Sequence, residues 1–364
     1  MTLNKQIEER YTVDRLTARE AQELALLYSW SPAVFEVSRL FVEWGVLSAI
    51  DKSEKGLTVA ELCSATNHKP LAISCLMEAG LTCRIVVVDP KEERYRLTKL
   101  GWLLLNDEMT RVNLEFNHRI NYRSFYWLEQ ALEEEKPKGL QTISEAKNIY
   151  EALPQLDDLT RQAWLNYDHF YSDRSFEQAL PFVLNTHPKT LLDVGGNTGE
   201  MALQFVAQDP EINVTVCDLP ELITMMQQTI VGKQGAERIH GLGADLTDEK
   251  TTFPTTYDAI WMSQFIMCFP ESQIDAILRR VTQAMHSDSR LFLMEVMWNR
   301  QSYPAAAFCQ TMNSLYFMAT ASGNNKMLTS DSLIKHLSQA GLELIATYDQ
   351  MGPGGHTLME WKKS

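Results

Sequence analysis

The first 105 residues have the apolar spacing of short helices. Apolar side chains recur every three or four positions, the spacing of one buried helix face, at Val34, Val37, Phe41 and Trp44. Thr58 followed by Glu61 is typical of a capping box at the start of a helix. A further apolar helix is predicted over residues 71–81.

Two short strand-like runs follow these helices. Residues 84–88 and 94–97 are rich in β-branched and aromatic side chains, and the Asp-Pro-Lys-Glu sequence at 89–92 is typical of a turn. Three helices followed by a two-stranded wing predict a winged-helix domain over residues 1–105. Residues 106–187 are helical and rich in aromatic side chains, and we expect them to form linking helices that cover a substrate.

From residue 188 to residue 364 strands alternate with helices. Short apolar runs occur at 190–194, 213–218, 257–262 and 291–298. One helix face is predicted from Ile274, Ile277, Leu278, Val281 and Met285. Such alternation implies crossover connections and a mainly parallel, doubly wound α/β sheet. The chain closes with a predicted helix at 332–340 and strands at 342–349 and 357–362 around a Gly-Pro-Gly-Gly turn, which predicts an antiparallel hairpin at the sheet edge.

The end of the first run in this region is the most informative stretch of the chain. Asp193 is followed by Gly195, Gly196, Asn197 and Gly199, so glycines let the backbone approach a ligand at the start of a helix. The spacing does not fit the Gly-x-Gly-x-x-Gly pattern of nicotinamide cofactors.

Two further acids follow in order along the predicted sheet. Asp218 ends the next strand, 19 residues after Gly199, where a ribose-binding carboxylate belongs. Asp245 is expected on the same edge, and an adenosyl group fits the three acids and the glycine loop.

Composition narrows the class of protein. Hydrophobic residues make up 45% of the 364 residues and charged residues 22%, which is typical of a folded globular chain. The net charge of −14 disfavours a nucleic-acid partner. The six cysteines form no Cys-x-x-Cys pair and no metal-ligand spacing is found, so we expect no metal. No apolar run reaches the roughly 18 residues of a membrane helix, and we expect a cytoplasmic protein without a membrane partner.

The motif Asp193-Val194-Gly195-Gly196-x-x-Gly199, with Asp218-Leu219-Pro220 and the segment beginning at Phe269, resembles the S-adenosylmethionine-dependent small-molecule O-methyltransferases of plants and bacteria. The resemblance covers nearly the whole chain. It implies a Rossmann-like class I methyltransferase sheet, mostly parallel with an antiparallel last strand. It also implies an N-terminal winged-helix domain that forms a homodimer.

The resemblance assigns cofactor contacts residue by residue. Asp193 and the glycines at 195, 196 and 199 would line the methionine and ribose of S-adenosylmethionine, and Asp218 with Leu219 would hold the ribose. Asp245 and Leu246 would contact the adenine. Asn197 stands where a third glycine is common, and Ser263 stands where the family often places a lysine near the cofactor. The product would be S-adenosylhomocysteine.

The chain departs from the family at the base that takes the acceptor's proton. Where the family has His-Asp-Trp, this chain has Met267-Cys268-Phe269, and a thioether has no useful basicity. One supporting acid of the family is matched by Glu295, and the other is replaced by Met327. Either another side chain such as His169 serves as the base, or the acceptor needs no strong base, or the protein binds the cofactor without turnover.

The expected acceptor is a small aromatic or polyketide-like molecule. Tyr167, Phe170, Met267 and Met318 are expected to line its site. Oxygen is the first expectation for the methylated atom, and an activated aromatic carbon is the alternative. A winged-helix transcription regulator is a second hypothesis, but the segment 71–81 contains no Lys or Arg for contacting DNA, which favours dimerisation.

Overall fold

The computed structural model describes residues 2–364. Its helices within that range are α1 Lys5–Thr12, α2 Ala18–Ser29, α3 Ser31–Glu43, α4 Val46–Asp51, α5 Val59–Thr66, α6 Pro70–Thr82, α7 Lys99–Asn106, α8 Glu108–Phe116, α9 Tyr122–Ser124, α10 Leu128–Glu134, α11 Ile149–Ala152, α12 Asp158–Leu184, α13 Glu200–Gln208, α14 Pro220–Ile230, α15 Glu271–Gln283, α16 Pro304–Tyr316 and α17 Ser330–Gln339. Its strands are β1 Val86–Asp89, β2 Arg94–Leu97, β3 Thr190–Val194, β4 Asn213–Asp218, β5 Ile239–Gly243, β6 Tyr257–Ser263, β7 Met285–Glu295, β8 Leu342–Met351 and β9 His356–Lys363.

The chain forms two compact units. One consists of residues 14–119, and the other consists of residues 120–364 together with the N-terminal stretch up to residue 13. No helix in residues 2–364 is long and apolar enough to cross a membrane.

The unit of residues 14–119 is built of helices and one β-hairpin. The predicted capping box is present at the start of α5, where the Glu61 amide donates to the Thr58 hydroxyl and the Glu61 carboxylate accepts from the Thr58 amide. Strands β1 and β2 pair antiparallel. Strand β1 begins two residues later than predicted, because Arg84 adopts a left-handed backbone conformation (φ 59°) that interrupts an extended run.

The other unit is organised around a seven-stranded sheet. The strand order is β5-β4-β3-β6-β7-β9-β8. The first five of these strands run parallel, and β9 pairs antiparallel with both β7 and β8. The predicted mainly parallel sheet with a closing antiparallel hairpin is confirmed. Strand β8 forms the edge, and β9 lies between it and β7.

Strand β7 differs from its prediction at both ends. It begins at Met285, which is therefore not part of the preceding helix face as the spacing suggested. The reason is that α15 ends at Gln283, and the carbonyl of the next residue, Ala284, accepts from the Tyr257 amide of β6 at 2.9 Å. The strand ends at Glu295 instead of Trp298, because residues 298–300 turn into a short 3-10 helix.

Helix α12 links the aromatic middle of the chain to the sheet. It is 27 residues long, and Asp157 caps it by accepting from the amides of Leu159 and Thr160. The Phe176 ring packs edge-on against Trp261 of β6, with 6.3 Å between ring centroids. This contact holds the helix against the sheet that carries Asp193.

Candidate active site

The centre of the sheet places the glycine loop at its carboxyl edge. The chain runs from β3 to β4 on one side, and then crosses to β6 on the other side of β3. In open α/β sheets, ligands bind outside the carboxyl ends of the strands at such a switch point. Asp193 lies near the end of β3, and the glycine loop follows it.

Asp193 is a buried carboxyl group whose Oδ2 has no hydrogen-bond partner within residues 2–364. Burial, and secondarily the charge of Asp218, raises the pKa of Asp193 to about 7. A Cβ atom at Gly196 would lie 2.6 Å from this Oδ2, so only glycine allows the loop to pass here. A buried acceptor without a partner beneath a glycine loop is suited to a ligand that donates a hydrogen bond or carries positive charge.

The loop itself is held by the second acid. The Asn197 amide donates to Asp218 Oδ2 at 2.9 Å, and the Leu219 amide donates to Oδ1 at 2.8 Å. Burial raises the pKa of Asp218, and these two amides act in the opposite direction. Asn197 is left-handed (φ 48°), a conformation that Asn adopts more readily than most residues.

Aromatic packing closes the loop on its other side. A Cβ atom at Gly195 would lie 2.3 Å from the Phe265 ring, so the glycine allows the ring to cover the loop. Gly195 is also left-handed, with a φ of 75°. Phe265 in turn contacts Phe269, with 4.8 Å between ring centroids.

The remaining cofactor candidates lie around the same edge. The Asp245 Oδ1 accepts from the Thr247 amide and hydroxyl, and the side chain is exposed two residues after β5. Leu246 is buried, and its carbonyl accepts from Arg280 at 2.7 Å. Ser263, the last residue of β6, has a buried hydroxyl oxygen without a partner among the described residues.

Glu295 lies under the turn that carries Met267. Its Oε1 accepts from the Ile266 amide at 3.0 Å, and its Oε2 has no partner in the described chain. Burial raises the pKa of Glu295 to about 8 against the effect of the backbone amides, so the carboxyl is mainly protonated at pH 7. Met267 is buried, and its carbonyl accepts from the Asn325 side chain. Met327 is buried as well, and its amide donates to the Ser314 hydroxyl.

Helix α12 carries three of the sequence candidates. His169 is half-exposed, and its Nδ1 lies 3.0 Å from Asp173 Oδ2, a contact that raises the pKa of the imidazole. Phe170 is buried, and the Arg174 guanidinium carbon lies 4.8 Å from its ring centroid. The Tyr167 ring lies 4.9 Å from that of Tyr171, and burial raises the pKa of the Tyr167 phenol well above its usual range. Met318 is half-buried in the π-helical turn after α16.

The structure adds polar contacts that sequence reasoning missed. The Tyr150 hydroxyl donates to Cys268 Sγ at 3.2 Å, and Trp164 Nε1 donates to the Tyr316 hydroxyl at 2.8 Å. Nothing in the sequence marked Tyr150. No group of three or more His, Cys, Asp or Glu residues that could hold a metal ion occurs in the described range.

Family sequence models match both parts of the chain. The model of the O-methyltransferase domain matches residues 176–342, the span that contains Asp193, Asp218 and Glu295. Residues 176–342 therefore form an O-methyltransferase domain. The model of the Dimerisation2-like domain matches residues 19–95 of this methyltransferase.

The methyltransferase is similar in sequence to methyltransferases that are named for different acceptors. It is 21% identical over 299 residues to L-tyrosine C(3)-methyltransferase of Streptomyces lavendulae, which covers 80% of this chain and 78% of the relative. It is 27% identical over 128 residues to 3-hydroxy-5-methyl-1-naphthoate 3-O-methyltransferase of Streptomyces sahachiroi, which covers 35% of this chain and 36% of the relative.

A solved structure shares the fold. The S-adenosylmethionine-dependent methyltransferase SibL in its apo form superposes with a TM-score of 0.72 at 17% identity, which covers 93% of this chain and 98% of that chain.

Proposed function

We propose that this chain transfers the methyl group of S-adenosylmethionine to an oxygen of a small aromatic acceptor. The observation that carries the proposal is the unpartnered, buried Asp193 carboxylate oxygen beneath the glycine loop, beside Asp218 at the switch point of the sheet. The match of this region to the O-methyltransferase domain supports the same reading.

The residues at the edge of the sheet fit the cofactor. When bound, S-adenosylmethionine supplies an electrophilic methyl group, whose bond to sulfur breaks with the electron pair returning to sulfur. Asp193 and the loop glycines would hold its methionine and ribose, and Asp218 would accept from the ribose hydroxyls. The exposed Asp245, together with Leu246, would contact the adenine. The unpartnered Ser263 hydroxyl would offer one more hydrogen bond.

The acceptor site lies, in this proposal, beyond the turn of residues 266–268. Met267 takes the position that a catalytic histidine has in the family, and Tyr167, Phe170 and Met318 would line the site. Glu295 would then support the turn through its contact with the Ile266 amide rather than orient an imidazole.

Transfer to an aromatic carbon is the second candidate function. The observation that favours it is Met267, because a side chain without basicity suits an acceptor whose ring carbon is activated by a neighbouring hydroxyl. The Streptomyces lavendulae relative, which aligns with most of this chain, is named for methylation of a tyrosine carbon. Nuclear magnetic resonance of the product distinguishes the two, since an O-methyl and a ring C-methyl group resonate at well-separated positions.

We propose further that the protein is a cytoplasmic homodimer formed through its N-terminal unit, and that this unit of helices and one hairpin is a winged-helix domain. The Dimerisation2-like match supports this. Helix α6, the counterpart of a recognition helix, contains no Lys or Arg, so a DNA-binding role is disfavoured.

The first experiment is calorimetric titration with S-adenosylmethionine, S-adenosylhomocysteine and, as a control for other nucleotide folds, NADH. We expect micromolar binding of the two adenosyl ligands only. Asp218→Ala is expected to weaken binding by about 1 to 3 kcal/mol through lost hydrogen bonds, and Asp288→Ala, at an exposed position in β7, should leave binding unchanged. Absence of adenosyl binding by the folded protein would refute the proposal.

Acceptors are then screened with radiolabelled S-adenosylmethionine. The panel begins with L-tyrosine and 3-hydroxy-5-methyl-1-naphthoate, the acceptors named for the two relatives, and extends to further phenols. Label transferred to a phenol supports the activity. Adenosyl binding with no transfer to any acceptor would favour a cofactor-binding protein without catalysis.

A further inference from the structure

The first described residues of the chain belong to the unit that carries the seven-stranded sheet. Residues up to 13 group with residues 120–364, whereas residues 14–119 form a unit of their own. We call residues 2–12, which include α1, the N-terminal strap. Hydrogen bonds join the strap to residues 299–304, which follow β7, and to Asp331 in the first turn of α17.

The start of the strap is held by four hydrogen bonds. The Asp331 carboxylate accepts from the Thr2 amide at 2.8 Å and from the Thr2 hydroxyl at 2.7 Å. The Asn4 amide donates to the Asn299 carbonyl at 2.8 Å, and the Asn4 side chain donates to the Arg300 carbonyl at 3.2 Å. The strap therefore contacts two stretches of the chain at once, one after β7 and one at the start of α17.

Helix α1 adds apolar and aromatic contacts to these bonds. Ile7 is the only buried residue of the helix, and none of its surface is accessible to solvent. The Tyr11 ring meets Trp298 edge-on with 6.2 Å between ring centroids, and its hydroxyl donates to the Pro304 carbonyl at 3.1 Å. Chain termini are poorly ordered unless such contacts hold them, so the strap is a docked segment and not a free terminus.

Asn299 connects the strap to α17. Its side chain is fully buried, and its amide nitrogen donates to the Ser330 hydroxyl at 2.8 Å and to the Thr2 carbonyl at 2.7 Å. Its oxygen accepts from the Ser330 amide at 3.0 Å. The strap thus provides the acceptor for one of the two N–H donors of a buried amide. A buried donor without a partner is costly, so docking of the strap stabilises the contact between Asn299 and α17.

The two stretches that the strap joins both contact the turn of residues 266–268. At the end of β7, the Glu295 carboxylate accepts from the Ile266 amide at 3.0 Å. In the segment before α17, the Asn325 side chain donates to the Met267 carbonyl. The position of the turn therefore depends on how the end of β7 and the start of α17 are held relative to each other.

We propose that the N-terminal strap is a positioning element of the acceptor site. By joining the chain after β7 to α17, it holds the turn of residues 266–268 in place for methyl transfer. The inference rests on the proposed function, in which the acceptor lies beyond this turn. The glycine loop follows β3 and is held by Asp218 of β4, so loss of the strap should slow transfer without weakening cofactor binding.

Ile7→Asp in the full chain tests whether the strap acts in this way. In the docked position the new carboxylate would be buried without a partner, so the strap should detach. Gln6→Asp, which places the same acid at an exposed neighbouring position of α1, is the matched control. Hydrogen–deuterium exchange should become faster in residues 2–12, in residues 298–304 and at the start of α17 in Ile7→Asp, and should be unchanged in the control.

Kinetics with the acceptor that the screen returns separate positioning from general stability. In Ile7→Asp, kcat should fall about 10- to 100-fold, as small misplacements of reacting groups cause, while the Kd of S-adenosylmethionine stays within about twofold. Gln6→Asp should keep the wild-type kcat. Ile7→Val, which keeps an apolar side chain at the buried position, should retain the docked strap and most of kcat.

Rescue by a peptide gives a readout that a general loss of stability would not move. An acetylated peptide of residues 2–13 contains the docking residues of the strap and keeps the Thr2 amide. Added to Ile7→Asp, it should restore kcat, because the surface after β7 is then open to it. The same peptide carrying Ile7→Asp is the control and should restore nothing.

Four results would overturn the inference and leave the proposed function intact. They are unchanged exchange or unchanged kcat in Ile7→Asp, a loss of cofactor affinity as large as the loss of kcat, no restoration by the wild-type peptide, and rapid exchange of residues 2–12 in the wild-type protein. Failure of the wild-type protein to methylate any acceptor while binding S-adenosylmethionine would overturn the proposed function and this inference together.

Discussion

At the scale of single residues, two buried carboxyl groups determine how the site responds to pH. Burial raises the pKa of Asp193 to about 7 and of Glu295 to about 8. Each group binds its proton more tightly in the folded than in the unfolded chain. Their contribution to the free energy of unfolding is therefore greatest below pH 4 and is lost as pH rises through 7 to 8.

Asp193 should make cofactor binding depend on pH. The positively charged cofactor favours the ionised carboxylate, so binding near pH 7 displaces a proton from Asp193. We expect the affinity for S-adenosylmethionine to rise about tenfold between pH 6 and pH 8, as linkage to one group with a pKa of about 7 requires. Calorimetry in buffers of different ionisation enthalpy measures both the affinity and the proton released.

Asp193→Asn should remove most of this pH dependence and weaken binding at pH 8. Asp288→Asn, at an exposed position, should keep it and so correct for the cofactor's own titration. An unchanged slope in Asp193→Asn would show that the carboxyl group does not contact the cofactor.

At the scale of elements, the glycine loop depends on close packing between strands and turn. A Cβ atom at Gly196 would lie 2.6 Å from Asp193 Oδ2 and 2.7 Å from Val216 Cγ1. Gly196→Ala should therefore lower the free energy of unfolding by about 1 to 3 kcal/mol, as overpacking does, and abolish measurable adenosyl binding. Thermal melting and calorimetry provide the two measurements.

Gly232→Ala is the control for backbone strain. Gly232 is left-handed with a φ of 74°, and no atom lies within 4 Å of a Cβ built there. The change should cost about 1 kcal/mol of stability and leave adenosyl binding intact. Equal loss of binding in both variants would attribute the Gly196 effect to general destabilisation.

The helices and strands also show where the pattern of apolar residues is enough to predict the bounds of an element. The bounds of β3 and β4 agree with the predicted runs at 190–194 and 213–218. Lys189 and Gly195 bound the first run, and the polar residues Asn213 and Asp218 stand at the two ends of the second. The start of β7 was missed, because Met285 continues the apolar spacing of α15 while its backbone is already paired with Tyr257 of β6. The spacing of apolar residues along the chain does not show which strand a residue pairs with.

At the scale of the whole molecule, the N-terminal unit has exposed apolar side chains on and just after α2. Leu26 is 58% exposed, and Trp30 is 67% exposed. We expect these residues to lie in the homodimer interface, since large exposed apolar patches commonly mark protein contacts. The double substitution Leu26→Glu and Trp30→Glu should shift the sedimenting species from dimer towards monomer.

Val231→Glu is the matched control for that experiment. Val231 lies in the other unit and is 77% exposed, so it presents a similar apolar surface outside the proposed interface. Its substitution should leave the dimer intact. A dimer that survives the double substitution would locate the interface elsewhere.

The sequence by itself determined the order of helices and strands, the glycine loop between Asp193 and Gly199, and the resemblance to methyltransferases. These features are local, because hydrophobic spacing, capping residues and glycines act over a few neighbouring positions. The cofactor side could therefore be proposed in detail before the structure was known, including Asp218, which holds the Asn197 amide.

Only the tertiary structure decided which residues of the chain face one another at the acceptor side. Apolar and polar residues alternate around α12 without a clear stripe, so the sequence offered His169 without showing which side chain it would contact. In the folded chain His169 pairs with Asp173 of the same helix, and Trp164 of α12 contacts Tyr150 and Tyr316. The Tyr150 hydroxyl in turn donates to Cys268, 118 positions away in the sequence, and local spacing does not reveal a contact between positions so far apart.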